Sequence, residues 1–102
     1  MASRQQILQA KLEDLLGSRN VYYQPPESVK MQYPAIRYSK TNIRSTFADN
    51  AAYSNLYCYE IIVIDRKPDN PVVEKLLGIP YCSFSRNYKA DGLDHDVLTL
   101  YF

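Results

Sequence analysis

His95 is the only histidine and stands between Asp94 and Asp96, where the residue types of a general base with a carboxylate partner, or of a His-carboxylate metal site, fall together. Adjacent side chains of a strand point to opposite faces, so the three groups converge only if His95 lies in the loop before a strand. The spacing therefore favours a structural or surface role. Ser39, Ser83 and Ser85 lack a nucleophile-elbow context, and Gly17, Gly78 and Gly92 are isolated, which leaves no glycine-rich phosphate cradle. Asp65, Asp69, Asp91, Asp94 and Asp96 follow no EF-hand pattern and are the residues turns use. Cys58 and Cys82 show no metal-ligand spacing and sit in apolar runs, which predicts buried free thiols. The expectation is a chain that is not an enzyme, with no cofactor and no metal.

The densest basic stretch is Arg37, Lys40 and Arg44, interleaved with Tyr33, Tyr38 and Phe47. Such a pattern can serve single-stranded nucleic acid, intersubunit salt bridges, or simply the solvated outer face of a hairpin. The net charge of +1 argues against a module built on many phosphate contacts. Charge is nonetheless divided along the chain: residues 1–51 carry seven basic and four acidic side chains, and residues 52–102 carry five and seven, so +3 stands against −2. That split suits head-to-tail self-association as well as a nucleic-acid partner. Ten tyrosines against three phenylalanines and no tryptophan favour contacted or wet surfaces.

The elements that position these residues follow from patterning. Ser3 and Gln6 form a capping box for a helix whose apolar side is Ile7, Leu8, Leu12, Leu15 and Leu16, ended by Gly17. A short strand, Asn20–Tyr23, stops at Pro25-Pro26, and an irregular loop runs to Gln32. Strands are expected at Tyr33–Ser39, Thr41–Phe47 and Tyr53–Ile64, the last two as a hairpin with its tip near Asp49-Asn50. Asn70 caps a short helix containing Val72, Val73, Leu76 and Leu77. A strand at Tyr81–Ser85, a loop through Asn87–Leu93 and a terminal strand, Asp96–Phe102, complete the chain.

The predicted fold is a single α+β domain over residues 1–102: a mainly antiparallel sheet of four or five strands with two helices on one face, in the order α-β-β-β-β-α-β-β. Ile61–Ile64 and Val97–Phe102 are apolar on both sides, so the sheet face without helices is expected to expose an apolar patch and to imply an oligomer. Candidate interface residues are Tyr53, Tyr57, Tyr59, Tyr101 and Phe102. The N-terminus lacks the apolar core of a signal peptide, and no run of residues is long enough to span a membrane, which predicts folding in a reducing cytoplasm.

The segments Ser3–Pro26 and Met31–Ile36, and later Cys82–Tyr88, Asp91-Gly92-Leu93-Asp94-His95-Asp96 and Leu98–Phe102, resemble small proteins of the head-tail module of long-tailed bacteriophages and prophages. These are tail-completion components of the tail-terminator or head-tail joining type, and the resemblance spans most of the chain. It implies a tail-terminator-like fold and a structural virion protein that caps the tail tube and joins it to the head. The implied state is a homo-oligomeric ring, commonly a hexamer, with the tail tube protein and head connector proteins as partners. The protein would be in the host cytoplasm during assembly and in the tail or neck of the virion afterwards. In a ring, Lys30, Arg37, Lys40 and Arg44 could face DNA passing through the lumen. The alternatives are another head-tail connector of the neck and, from a different class, a small nucleic-acid-binding regulator.

Overall fold

A computed structural model describes residues 3–25, 30, 32–48, 51–68 and 70–102, with side chains described outside 42–56. Helix α1 (Arg4–Leu16) starts at the expected box: Gln6 N–H donates to Ser3 Oγ at 3.2 Å and Ser3 N–H donates to Gln6 Oε1 at 3.0 Å. Two donors that the first helical turn leaves without intrahelical partners are thereby satisfied. The helix ends at Gly17, which takes the left-handed conformation (φ 77°) and returns its N–H to Glu13 O at 2.9 Å. Leu8 and Leu12 are fully buried, and Leu15 and Leu16 pack at the core's edge. Ile7, expected on the same side, is 51% exposed.

After α1 come β1 (Val21–Tyr23), β2 (Ala35–Ala48), β3 (Ala51–Asp65), α2 (Val72–Leu77), β4 (Cys82–Ala90) and β5 (Leu93–Tyr101). They form one five-stranded sheet in the order β1-β2-β3-β5-β4, parallel between β1 and β2 and antiparallel elsewhere. The α+β class and the single sheet are as the sequence indicates. The two strands expected at Tyr33–Ser39 and Thr41–Phe47 are one, so the element order is α-β-β-β-α-β-β. The polar break that suggests a boundary is a β-bulge: the register shifts between Lys40 and Asn42, and Thr41 Oγ1 donates to Cys58 O at 3.2 Å. The N-cap of α2 is Pro71, not the expected Asn70, which stands one residue earlier and accepts from Val72 N–H through its Oδ1 at 2.9 Å.

The segment Asn87–Leu93, expected as a loop, is mostly strand. Asp91 (φ 54°) and Gly92 (φ 74°) make a two-residue connection with both residues left-handed, the backbone a tight hairpin between right-twisted strands requires. β4 therefore extends to Ala90 and β5 begins at Leu93.

Both helices lie on one face. Leu8 and Leu12 of α1 and Val72 and Leu76 of α2 share a core with Ile36, Tyr38, Tyr59, Ile61, Val63, Leu98 and Leu100. α1 is pinned by a polar contact as well, because the Tyr38 hydroxyl donates to Gln9 Oε1 at 2.5 Å and accepts from Gln5 Nε2 at 2.7 Å. Burial raises the Tyr38 pKa above the ordinary phenol value. The folded chain thus holds this proton more tightly than the unfolded chain. Its stability is unaffected below about pH 10 and falls as the pH rises above that value. Tyr38→Phe is expected to lose about 1–2 kcal/mol at neutral pH through the glutamine bonds and to show a shallower alkaline decline, measured by urea unfolding at pH 7 and about pH 11.

The opposite face corrects the expected exposed patch. Ile62, Ile64 and Val97 are only 8%, 2% and 1% exposed, packed together with Tyr33 and Leu93. The two-sided apolar character of β3 and β5 is satisfied inside the monomer because both are interior strands, and the second apolar cluster is a narrow stripe.

Candidate assembly surfaces

His95 lies within β5, not in a loop, and pairs with Ile64 on one side and Tyr88 on the other. Its ring stacks on Tyr88 (centroids 4.7 Å apart, planes 14°) and its Nδ1 is 3.0 Å from Leu93 O. Strand alternation sends Asp94 and Asp96 to the helix-bearing side, where both line a cleft against α2. The His95-carboxylate constellation is therefore not assembled. Among the described residues, no group of three or more His, Cys, Asp or Glu is placed to hold a metal ion. Cys58 and Cys82 are free, Cys58 buried as expected but Cys82 only half-buried; they lie on opposite faces of the sheet with β5 between their strands, and partial burial pushes the Cys82 thiol pKa up.

The candidate tyrosines separate into different environments. Tyr59, 1% exposed, is part of the core and offers no surface to a neighbour. Tyr57 and Phe102 are half-buried at the edge of that core, joined by Phe102 N–H donating to Tyr57 O at 2.9 Å. Tyr101 is half-buried on the other side of the sheet, opposite Cys58. The Tyr53 side chain lies outside the described residues.

The basic residues separate too. Lys30, Arg37 and Lys40 are exposed. Alternation along β2 places Lys40 with Ile36 and Tyr38 on the helix-bearing side and Arg37 on the other, so they form no common stripe. The Arg44 side chain lies outside the described residues. What the fold does bring together is Lys40 with Arg4: the Arg4 guanidinium sits 4.2 Å and the Lys40 Nζ 5.2 Å from the centroid of the Tyr57 ring. Neither cation makes an ion pair with a described residue. Sequence reasoning misses Arg4 because only the seating of α1 on the sheet brings it to β2.

Two further features are visible only in three dimensions. β1 pairs with β2 no further than Tyr38, and β5 pairs with β3 from Asp65 only to Cys58. Phe102 still exchanges backbone hydrogen bonds with Tyr57; past it, from the pair Arg44 and Leu56 to the pair Ala48 and Ala51, β2 and β3 continue with each other alone as a two-stranded arm about 15 Å long. The molecule measures 51 × 27 × 24 Å, and its radius of gyration of 14.7 Å exceeds the roughly 13 Å of a compact chain this long. Asp49 and Asn50, the expected tip, lie outside the described residues, as does much of the loop expected through Gln32.

The second feature is the cleft of about 550 Å³ between α2 and the first half of the β4-β5 hairpin. Pro71, Val73 and Phe84 give it apolar walls, and Glu74, Asp94 and Asp96 give it three carboxylates. The single side-chain amide of Asn87 contacts both oxygens of Asp94 (3.1 and 3.2 Å), Asp96 Oδ1 (2.7 Å) and His95 O (3.2 Å), although one amide has only two hydrogens to donate.

Among the described residues no helix is long and apolar enough to cross a membrane. No protein-family model matches the chain, and a search of curated proteins finds no match either.

Proposed function

We propose that the chain is a structural component of a phage or prophage tail, a tail terminator or tail-completion protein that works as a ring of copies, caps the tail tube and joins it to the head. The observation that carries this reading is the β2-β3 arm. An isolated two-stranded hairpin is marginally stable in water, and a sheet that extends two of its five strands past the rest leaves the outer backbone edges of that arm without strand partners among the described residues. The resemblance of the α1 region and of the β4-β5 region to tail-completion proteins supplies the identity of a partner for those edges, first another copy and then the tube and the connector. The proposed contact with DNA is a lesser part of the reading, because Arg37 and Lys40 face different sides of the sheet.

The test is loss of function in the virus. Lysates lacking this chain are expected to contain tails of irregular length or heads without tails, both restored by supplying the protein in trans. Irregular length marks a terminator, and normal tails beside unjoined heads mark a connector. Normal, infectious particles in its absence contradict the proposal.

A further inference from the structure

We propose that the cations Lys40, Arg4 and Lys11, gathered on the helix-bearing side, are a contact for the phosphate backbone of duplex DNA. It does not rest on the ring reading, because a copy in any oligomeric state carries the group. The Arg4 guanidinium and the Lys40 Nζ lie 4.2 and 5.2 Å from the centroid of one ring, that of Tyr57. Lys11 follows Arg4 by just under two turns of α1, which sets it on nearly the same line of the helix, about 10 Å further on. All three are exposed, and none makes an ion pair with a described residue. Asp14, about a turn beyond Lys11, ends the group.

Local structure does not account for this gathering. One cation over a tyrosine ring is a favourable contact, but a second cation at the same ring repels the first. Arg4 also stands in the first turn of α1, which contains no acidic residue, so the positive end of the helix dipole opposes its charge. Charges that raise one another's energy in the free protein are stabilised by an anion that meets each of them, and a run of phosphates does so. The mode of contact is limited as well. Tyr57 is half-buried and its ring already carries two cations, so it offers no free face on which an unpaired base could stack. Charge alone remains, and charge is how a protein holds a duplex without reading its sequence. A net charge of +1 fits a contact of only a few phosphates. Arg37 takes no part, because it lies on the opposite side of the sheet.

Fluorescence anisotropy of a labelled duplex, titrated with the full chain over a series of salt concentrations, tests this. With three phosphates neutralised, the logarithm of the binding constant is expected to fall against the logarithm of salt with a slope of about −2.7. Arg4→Gln/Lys40→Gln is expected to bring the slope to about −0.9 and to weaken binding about tenfold or more at roughly 50 mM salt. Lys11→Gln, which leaves the Tyr57 ring and its cations untouched, is expected to reduce the slope by about one. Arg37→Gln is the control and is expected to change neither slope nor affinity. All four positions are exposed, so the thermal midpoints should match wild type. A wild type that shows no salt-dependent binding overturns the proposal, as does a slope that the Arg4 and Lys40 changes leave in place. An equal loss in Arg37→Gln overturns it in favour of diffuse charge. Displacement of the duplex by inorganic phosphate at matched ionic strength overturns it by assigning the group to a small free anion. Each of these outcomes leaves the ring reading standing.

Discussion

Leu98→Ala is expected to destabilise the fold by about 3 kcal/mol, read as a lower urea midpoint at unchanged slope. Leu98 is fully buried in β5, paired with Ile61 of β3 and Phe84 of β4, in the cluster that joins the sheet to both helices. The lost methyl groups leave a cavity that two helices of 13 and 6 residues, anchored over a rigid sheet, can fill only in part. Small domains have on the order of 5–15 kcal/mol of stability, so the variant keeps a modest remainder. The neighbouring Val97→Ala is the control. It removes a smaller side chain from the three-residue cluster on the opposite face and is expected to cost about 1–2 kcal/mol. A Val97 variant as damaging as the Leu98 variant would show that the second face is as large a core as the first, contrary to the layer assignment.

Shortening the arm is expected to separate assembly from folding. With residues 44–56 replaced by Asn-Gly, Ile43 and Tyr57, which are paired in the native register, flank a two-residue hairpin turn. The buried clusters described above draw on residues outside that segment, and the Arg4, Lys40 and Tyr57 group is kept. The variant should unfold at nearly the wild-type denaturant concentration. In cells that lack the wild-type chain it should fail to restore tail completion. Equal function without the arm would remove the observation on which the proposed function rests, and a collapse in stability would make the arm part of the domain's own core.

Elements with a one-sided pattern or a local cap were legible in the sequence. Ser3, Gln6 and Gly17 bracket α1 by hydrogen bonds that three residue types make locally, and the alternation of Ile36 and Tyr38 with Arg37 and Ser39 assigns β2 its faces. The failures have physical causes. Arg86, Asn87, Tyr88 and Lys89 do not alternate because β4 is an edge strand exposed nearly throughout, so only the Asp91-Gly92 turn marks the hairpin. Thr41 reads as a boundary because a bulge interrupts the period. The buried second face was misjudged because the sequence gives apolar character but not strand order, and strand order decides that Ile62, Ile64 and Val97 come together. Two groupings are not local in sequence: Arg4 and Lys40 come together at the Tyr57 ring from α1 and β2, and Glu74, Asp94 and Asp96 line one cleft from α2 and β5.

The most direct measurement is electron microscopy of virions assembled with an epitope-tagged copy of the chain, with the tag detected by gold-labelled antibody. The account predicts label at the junction of head and tail, and on isolated tails at the end that meets the head. Particles that form normally and carry no label there, while the tagged protein remains soluble in the lysate, would contradict it.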